Sequence, residues 1–337
     1  CFLVKEKYVS HINYIIGLLF LVILSLLIIK RKERFFKLKI TRILTIFVLV
    51  ILGLRVILFP ELGPIASTGD FTYTKEILEV TDEGRIDPFN MEHARALSLL
   101  VYLPTSPKEE DTFPLVVFSH GGISHNRSNL SLYHELASHG YIVVSVDHTY
   151  HALSTKVNGK TIRIDSGYLQ SLMKEDAKKD IEHSFLMFQE WMDVRMKDLD
   201  FVLDYLLLDS FLSAKIDADK IGLVGHSLGG SAALGIARTR SDIKGVVALE
   251  SPFMYDVLGV DQSGFIWNEE PMSSPMLHIY TDSAFYLLED HLVYAQNKRY
   301  LYNTDEVEYY HITNSNHFTI TDLVRSSPIL AFVLGGK

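Results

Sequence analysis

The most constraining feature of this chain is a five-residue turn, Gly225-His226-Ser227-Leu228-Gly229, set between an apolar strand and a helix of small residues. Ile221-Gly222-Leu223-Val224 precedes it and reads as a buried strand. Gly230-Ser231-Ala232-Ala233-Leu234 follows and opens a helix that can lie close to a sheet. A Gly-x-Ser-x-Gly turn in that setting is the nucleophile elbow, which forces the serine hydroxyl out at the edge of the sheet. The glycines at either end let the flanking backbones approach. This turn is not a phosphate-binding loop, because no Gly-Lys-Ser/Thr lies in it.

Further strands and helices alternate along the chain. Leu115–Ser119, Tyr141–Val146, Gly245–Leu249, Met276–Tyr280 and Val307–Ile312 are short, apolar and β-branched, as strands of a parallel sheet are. Leu130–His139, closed by Gly140, and the amphipathic stretch Ile181–Leu208 read as helices, and Asp322–Leu334 as a final one. This alternation predicts an α/β fold, a mostly parallel sheet with helices on both faces. With the elbow, it is the α/β-hydrolase arrangement. Residues 150–180 show no clear period, although Tyr168, Leu169, Leu172 and Met173 give them an apolar side suited to covering a substrate.

A serine hydroxyl needs a base within hydrogen-bond reach. In this arrangement the base is a histidine after the last strand. His311 lies within that strand, whereas His317 lies in the loop beyond it, so His317 is the predicted base. An acid must orient the histidine. Glu250 and Asp282 end successive strands at the same edge of the sheet, and spacing does not choose between them. Two backbone N–H groups must hold the oxyanion. Leu228, next after the nucleophile, supplies one, and Gly122, in the turn His120-Gly121-Gly122 after Leu115–Ser119, supplies the other. His120 is expected to brace that turn. His125, Asn126 and Arg127 follow it and are candidates for lining a pocket.

The apolar fraction of 48% is concentrated before Pro60. Ile12–Ile29 and Ile43–Phe59 are each near the ~20 apolar residues of a membrane-crossing helix. Between them Lys30–Arg42 carries seven basic residues and one acid, a cytoplasmic signal. The expected organisation is a two-helix membrane segment over 1–59 (helices about 12–29 and 43–59), a linker over 60–75, and a catalytic domain over 76–337 at the outer side of the cell membrane. The chain begins with Cys1, which suggests a truncated or processed form, and whether further spans precede it stays open. Cys1 is also the one cysteine, so neither an internal disulfide nor a cysteine metal cluster is expected. Six of the 14 histidines fall between His120 and His151, including His148-x-x-His151, but they are scattered over a strand end, a helix and a loop. No metal and no cofactor is expected. A net charge of −9 without a basic stripe in the globular part argues against nucleic acid.

The stretches Phe113–Gly122, Leu136–Val143 and Val146-Asp147-His148, the helix carrying Arg195 and Asp198–Asp204, and Gly225–Gly230 together resemble the platelet-activating factor acetylhydrolase family, in its plasma-type, lipoprotein-associated phospholipase A2 branch. The likeness covers roughly residues 68–325 and leaves out the N-terminal apolar segment. It implies Ca²⁺-independent ester hydrolysis, with short or oxidised sn-2 acyl chains of phospholipids as substrates. It also implies that the acid is Glu250, which lies 23 residues beyond Ser227 as the family's acid does, with Asp282 the alternative. The family has Asp there, so Glu is a departure. Gly122 is another, since relatives often carry a larger residue. The expectation is a membrane-tethered serine esterase acting on a lipid or small ester. The alternatives are a general carboxylesterase or polyester hydrolase and, from another class, a non-catalytic, membrane-anchored binding protein of the same fold.

Overall fold

The computed structural model describes residues 15–26, 36–60, 65–106, 111–303 and 307–334. The chain forms two compact units, Cys1–Ile65 with Thr321–Gly336, and Ala66–Ile320 with Lys337. The expected boundary at 75–76 therefore falls within the larger unit, and the C-terminal helical segment groups with the N-terminal one.

In the larger unit the strands are β1 (Tyr73–Asp87), β2 (Asn90–Pro104), β3 (Phe113–Ser119), β4 (Ile142–Asp147), β5 (Ser154–Val157), β6 (Lys160–Arg163), β7 (Ile216–His226), β8 (Ile243–Leu249), β9 (Val257–Asp261), β10 (Gly264–Trp267), β11 (Met276–Thr281) and β12 (Val307–Ile312). Eight of them form one sheet in the order β1-β2-β4-β3-β7-β8-β11-β12. β1–β2 and β2–β4 are antiparallel, and every other neighbouring pair is parallel. The carboxyl ends of β3, β7, β8, β11 and β12 therefore lie along one edge, where ligands bind in open α/β sheets. β5–β6 and β9–β10 are separate antiparallel hairpins.

The helices, numbered from the N-terminus of the whole chain, are α1 (residues 15–26), α2 (Phe36–Leu58), α3 (Leu130–Ser138), α4 (Ser166–Lys174), α5 (Ile181–Asp204), α6 (Leu228–Thr239), α7 (Asp282–Phe285), α8 (Ala295–Asn303), α9 (Leu323–Ser326) and α10 (Pro328–Leu334). Gly140 follows α3 with φ of 85°, the left-handed conformation expected of a residue just past a helix end. In α5, Phe188, Trp191, Met192, Arg195, Leu199 and Val202 are buried at helical spacing, so one face packs on the sheet. The Asp180 side chain caps this helix by accepting from the His183 N–H at 3.0 Å.

Several elements differ from expectation. β1 and β2 are 15-residue partners with no counterpart among the strands read from the sequence. β1 is an edge strand with one wet face, so its charged residues hide the alternation. Residues 150–180 contain a hairpin and α4, not an irregular segment. The expected final helix is broken into α9 and α10 at Ser327, which is extended (φ −153°, ψ 82°) because Pro328 disfavours the helical conformation before it.

The two expected membrane spans are not found among the described residues. Among the described residues, no helix is long and apolar enough to cross a membrane. Of the first expected span the structure describes residues 15–26, which form α1, and residues 12–14 and 27–29 lie outside the described residues. In α2 the sequence places Lys37, Lys39, Arg42 and Arg55, so the uncharged stretch Ile43–Leu54 is only 12 residues.

Candidate active site

Ser227 sits between β7 and α6 with φ of 54° and ψ of −126°, the strained turn expected of an elbow. Close packing imposes the surrounding glycines. A Cβ on Gly229 would stand 2.2 Å from the Ser119 carbonyl oxygen, and one on Gly225 would stand 2.5 Å from the Gly229 carbonyl. The turn is tied to the next strand by the Ser227 N–H, which donates to the Leu249 carbonyl at 2.8 Å. Leu228 is the first residue of α6, so its N–H has no intrahelical acceptor.

His317, in the loop after β12, reaches back to Glu250 at the end of β8. Its Nδ1–H donates to the Glu250 carboxylate at 2.7 Å. In the neutral form of the ring, that bond leaves Nε2 as the acceptor. The loop is held beside the elbow by His226, whose Nε2–H donates to the His317 carbonyl at 3.0 Å, the two rings lying 4.5 Å apart. The Ser283 hydroxyl accepts the His317 N–H at 3.2 Å.

Glu250 is fully buried and has φ of 51°. Its second oxygen accepts the N–H groups of Thr281 and Ala284 at 3.0 and 3.1 Å and the Thr281 hydroxyl. Burial by itself raises the pKa of this carboxyl. The His317 and Thr281 bonds outweigh that and hold it below the usual value, so it stays ionised. The longer Glu side chain is thus accommodated by a dedicated set of donors.

The alternative acid, Asp282, is engaged elsewhere. It accepts from His311 Nε2 at 2.8 Å and from the Asn314 N–H at 2.8 Å, bracing the turn that leads to His317. His226, Glu250 and His317 each offer an atom within 4.8 Å of the others, a spacing that also suits metal ligands. The short Glu250–His317 bond engages two of these groups with each other.

The turn after β3 lies against the elbow. A Cβ on Gly121 would be 3.5 Å from the Ser227 Cβ. The His120 Nδ1–H donates to the Gly121 carbonyl at 2.7 Å, a bracing contact of the kind expected of this histidine. Gly122, the second expected N–H donor, faces α4. A Cβ there would be 3.1 Å from a Leu172 methyl, and the Tyr168 hydroxyl donates to the Gly122 carbonyl at 3.2 Å. The segment thought suited to covering a substrate therefore reaches the His120–Gly122 turn through Tyr168 and Leu172. Asn126 instead turns inward, its N–H donating to Asp147 at 2.6 Å. Burial pushes the Asp147 carboxyl up to about 7.

A buried polar network behind this turn was not expected. Asp198 on α5 accepts from Arg95 Nε and Nη2 at 3.0 and 2.7 Å and from His148 Nδ1 at 3.0 Å. The other nitrogen of His148 accepts from the Ser119 hydroxyl at 2.9 Å. This second Ser-His-Asp chain is entirely buried, and its hydroxyl has no approach for a substrate. It ties β2, β3, β4 and α5 together behind the His120–Gly122 turn. Removing one partner of such a buried pair costs about 3–5 kcal/mol. Burial, and then the charge of Arg195, keep the His148 pKa down at about 4, so the ring is neutral. The sequence signal was Arg195 and Asp198, two charged residues on the buried stripe of an amphipathic helix. Of the pair His148-x-x-His151, His148 belongs to this network, whereas His151 stacks on Tyr168 at 3.6 Å.

Comparison with known proteins agrees with this architecture. A family model described as Chlorophyllase matches residues 71–166. Among curated proteins, cutinase est1 of Thermobifida alba is 25% identical over 177 residues, 50% of this chain and 46% of its own length. Cutinase 2 of Thermobifida cellulosilytica is 24% identical over 50% of this chain and 52% of its own length. The chain thus spans about half the length of the curated relatives it matches. A solved ferulic acid esterase from Streptomyces cinnamoneus superimposes with a TM-score of 0.61 at 20% identity, covering 80% of this chain and 81% of the other. These likenesses, to a chlorophyllase model, cutinases and a ferulic acid esterase, do not confirm the platelet-activating factor acetylhydrolase family that the motifs suggested. The strand order, the elbow and these likenesses together give the chain an α/β-hydrolase-like fold.

Proposed function

We propose that the chain is a serine esterase acting on carboxylic esters. Ser227 attacks the ester carbonyl carbon while His317 Nε2 takes its proton, and the N–H groups of Leu228 and Gly122 hold the oxygen that becomes negative. His317 then returns the proton to the departing alcohol oxygen, leaving an acyl-enzyme. Water, deprotonated by the same nitrogen, releases the acid and restores Ser227. Glu250 holds His317 in the tautomer this requires. The observation that carries the reading is the 2.7 Å bond from His317 Nδ1 to a buried, ionised Glu250, in a loop fastened beside the strained Ser227 turn.

The substrate is a short or oxidised acyl ester, including one at the sn-2 position of a phospholipid. Leu172 and Tyr168 wall the oxyanion turn and favour a small acyl group. The cutinase relatives favour a second reading, a general carboxylesterase or polyester hydrolase. A panel of p-nitrophenyl esters and phosphatidylcholines separates the two. The first reading expects acetyl and butyryl esters to exceed decanoyl ones, short sn-2 phosphatidylcholines to be cleaved, and a calcium chelator to have no effect. A preference for decanoyl esters or polyester film, with phospholipid untouched, contradicts it.

The N-terminal segment anchors this unit to the cell membrane, with the catalytic unit outside. The support is the basic run Lys30–Arg42 and the exposed apolar side chains of α1 and α2, among them Phe20, Ile43 and Phe47. Alkaline carbonate extraction of expressing cells is expected to leave the chain in the membrane pellet, and release into the supernatant contradicts the anchor.

A further inference from the structure

Arg195 is a fully buried guanidinium on α5, and its three hydrogen bonds go to neutral oxygens. Nη1 donates to the His120 carbonyl at 2.5 Å, and Nη2 donates to the Gly121 carbonyl and the Tyr168 hydroxyl, both at 3.2 Å. The Gly121 carbonyl belongs to the same peptide unit as the Gly122 N–H. The cation therefore grips the back of the amide whose front is the expected oxyanion donor. The His120 Nδ1–H donates to the same carbonyl oxygen at 2.7 Å, and Tyr168 in turn donates to the next carbonyl, that of Gly122. Each carbonyl from His120 to Gly122 is thus held from behind.

An amide whose carbonyl accepts from a cation is polarised, and its N–H becomes a better donor. Its plane is also fixed, so little reorganisation is needed when charge develops on the substrate. A buried cation without a bonded carboxylate is costly, and a neutral side chain could fill the same space more cheaply. Its charge also adds to the burial that keeps His120 neutral, consistent with an Nδ1–H facing the Gly121 carbonyl.

We propose that Arg195 is a positioning residue of the oxyanion hole, orienting and polarising the 121–122 peptide through the Gly121 carbonyl so that the Gly122 N–H meets the transition-state oxygen. Arg195 touches no substrate; it acts through the backbone. This inference rests on the esterase reading above.

The test uses the full chain with Arg195→Met, Arg195→Lys and Tyr168→Phe, folding being followed by circular dichroism. Two quantities are read: kcat and KM for p-nitrophenyl butyrate, and Ki for an aryl trifluoromethyl ketone. Ser227 adds to the ketone carbonyl to form a hemiketal whose oxyanion occupies the hole. Arg195→Met is expected to lower kcat by about 10²-fold, comparable with losing one oxyanion donor, with KM changed by less than about threefold. Ki should weaken in proportion to kcat/KM across the series. Arg195→Lys, which keeps the charge, should recover about tenfold of the loss. Tyr168→Phe, which leaves the Gly121 contact in place, should lose less than Arg195→Met.

A folded Arg195→Met variant with wild-type kcat overturns the proposal. So does a kcat loss with Ki unchanged, since that marks general loosening. If Arg195→Met does not fold, Arg195→Lys decides, because a loss of kcat matched by Ki is still required of it. Wild-type hydrolysis that depends on Ser227 but not on Arg195 removes this inference alone. Hydrolysis that does not depend on Ser227 removes the esterase reading as well.

Discussion

Glu250→Gln is expected to lower kcat by about 10²–10⁴-fold while leaving the fold intact, whereas Asp282→Asn is expected to lose less than about tenfold. The asymmetry follows from what each carboxylate touches. One oxygen of Glu250 is locked by donors, the Thr281 and Ala284 N–H groups and the Thr281 hydroxyl. A Gln side chain must keep its carbonyl oxygen there, because an NH₂ group would meet donors. Its NH₂ then faces His317 Nδ1, where Glu250 now accepts a proton at 2.7 Å. His317 would have to turn to the opposite tautomer, with its proton on Nε2, and could no longer take the proton of Ser227. The protein keeps its packing and loses its base. Asp282 lies one strand further along but faces His311 and the Asn314 N–H, so Asn there can accept from the Asn314 N–H with its oxygen and donate its NH₂ to His311 Nε2 in that ring's other tautomer. Steady-state kinetics of the two variants with p-nitrophenyl butyrate checks this, and reversed losses would assign the acid to Asp282.

Much of this site was legible because its parts are local. The elbow needs two glycines and small helix residues within a few positions, and the clashes at Gly225 and Gly229 show why no larger side chain can stand there. His317 could be preferred over His311 because one lies past a strand and the other inside it. The choice between Glu250 and Asp282 was not local. Both end neighbouring parallel strands, and only the packing shows that the Thr281 and Ala284 donors converge on Glu250. Arg195 and Asp198 stood out as charges on a buried helix face. Their partners Arg95, His148 and the His120–Gly121 carbonyls come from segments far apart in sequence, so no periodicity could join them. Hydropathy saw the N-terminal apolar runs, but the basic residues at 37, 39, 42 and 55 shorten the uncharged part of α2. β1 was missed because an edge strand with one wet face carries the charges of a loop.

The central claim is that Ser227 is the nucleophile of an ester hydrolase, and Ser227→Ala addresses it directly. Ala fits the strained turn with no bulk beyond that of Ser, and the turn's backbone bond to Leu249 does not use the hydroxyl. The variant should therefore fold like the wild type. Hydrolysis of p-nitrophenyl acetate, with the intact mass measured after exposure to a small fluorophosphonate, gives the rate and the site of attack together. The account predicts that kcat/KM falls by about 10³-fold or more, and that the single phosphonyl adduct of the wild type is absent from Ser227→Ala. Equal rates from the two proteins, or an adduct that persists on the variant, would contradict it.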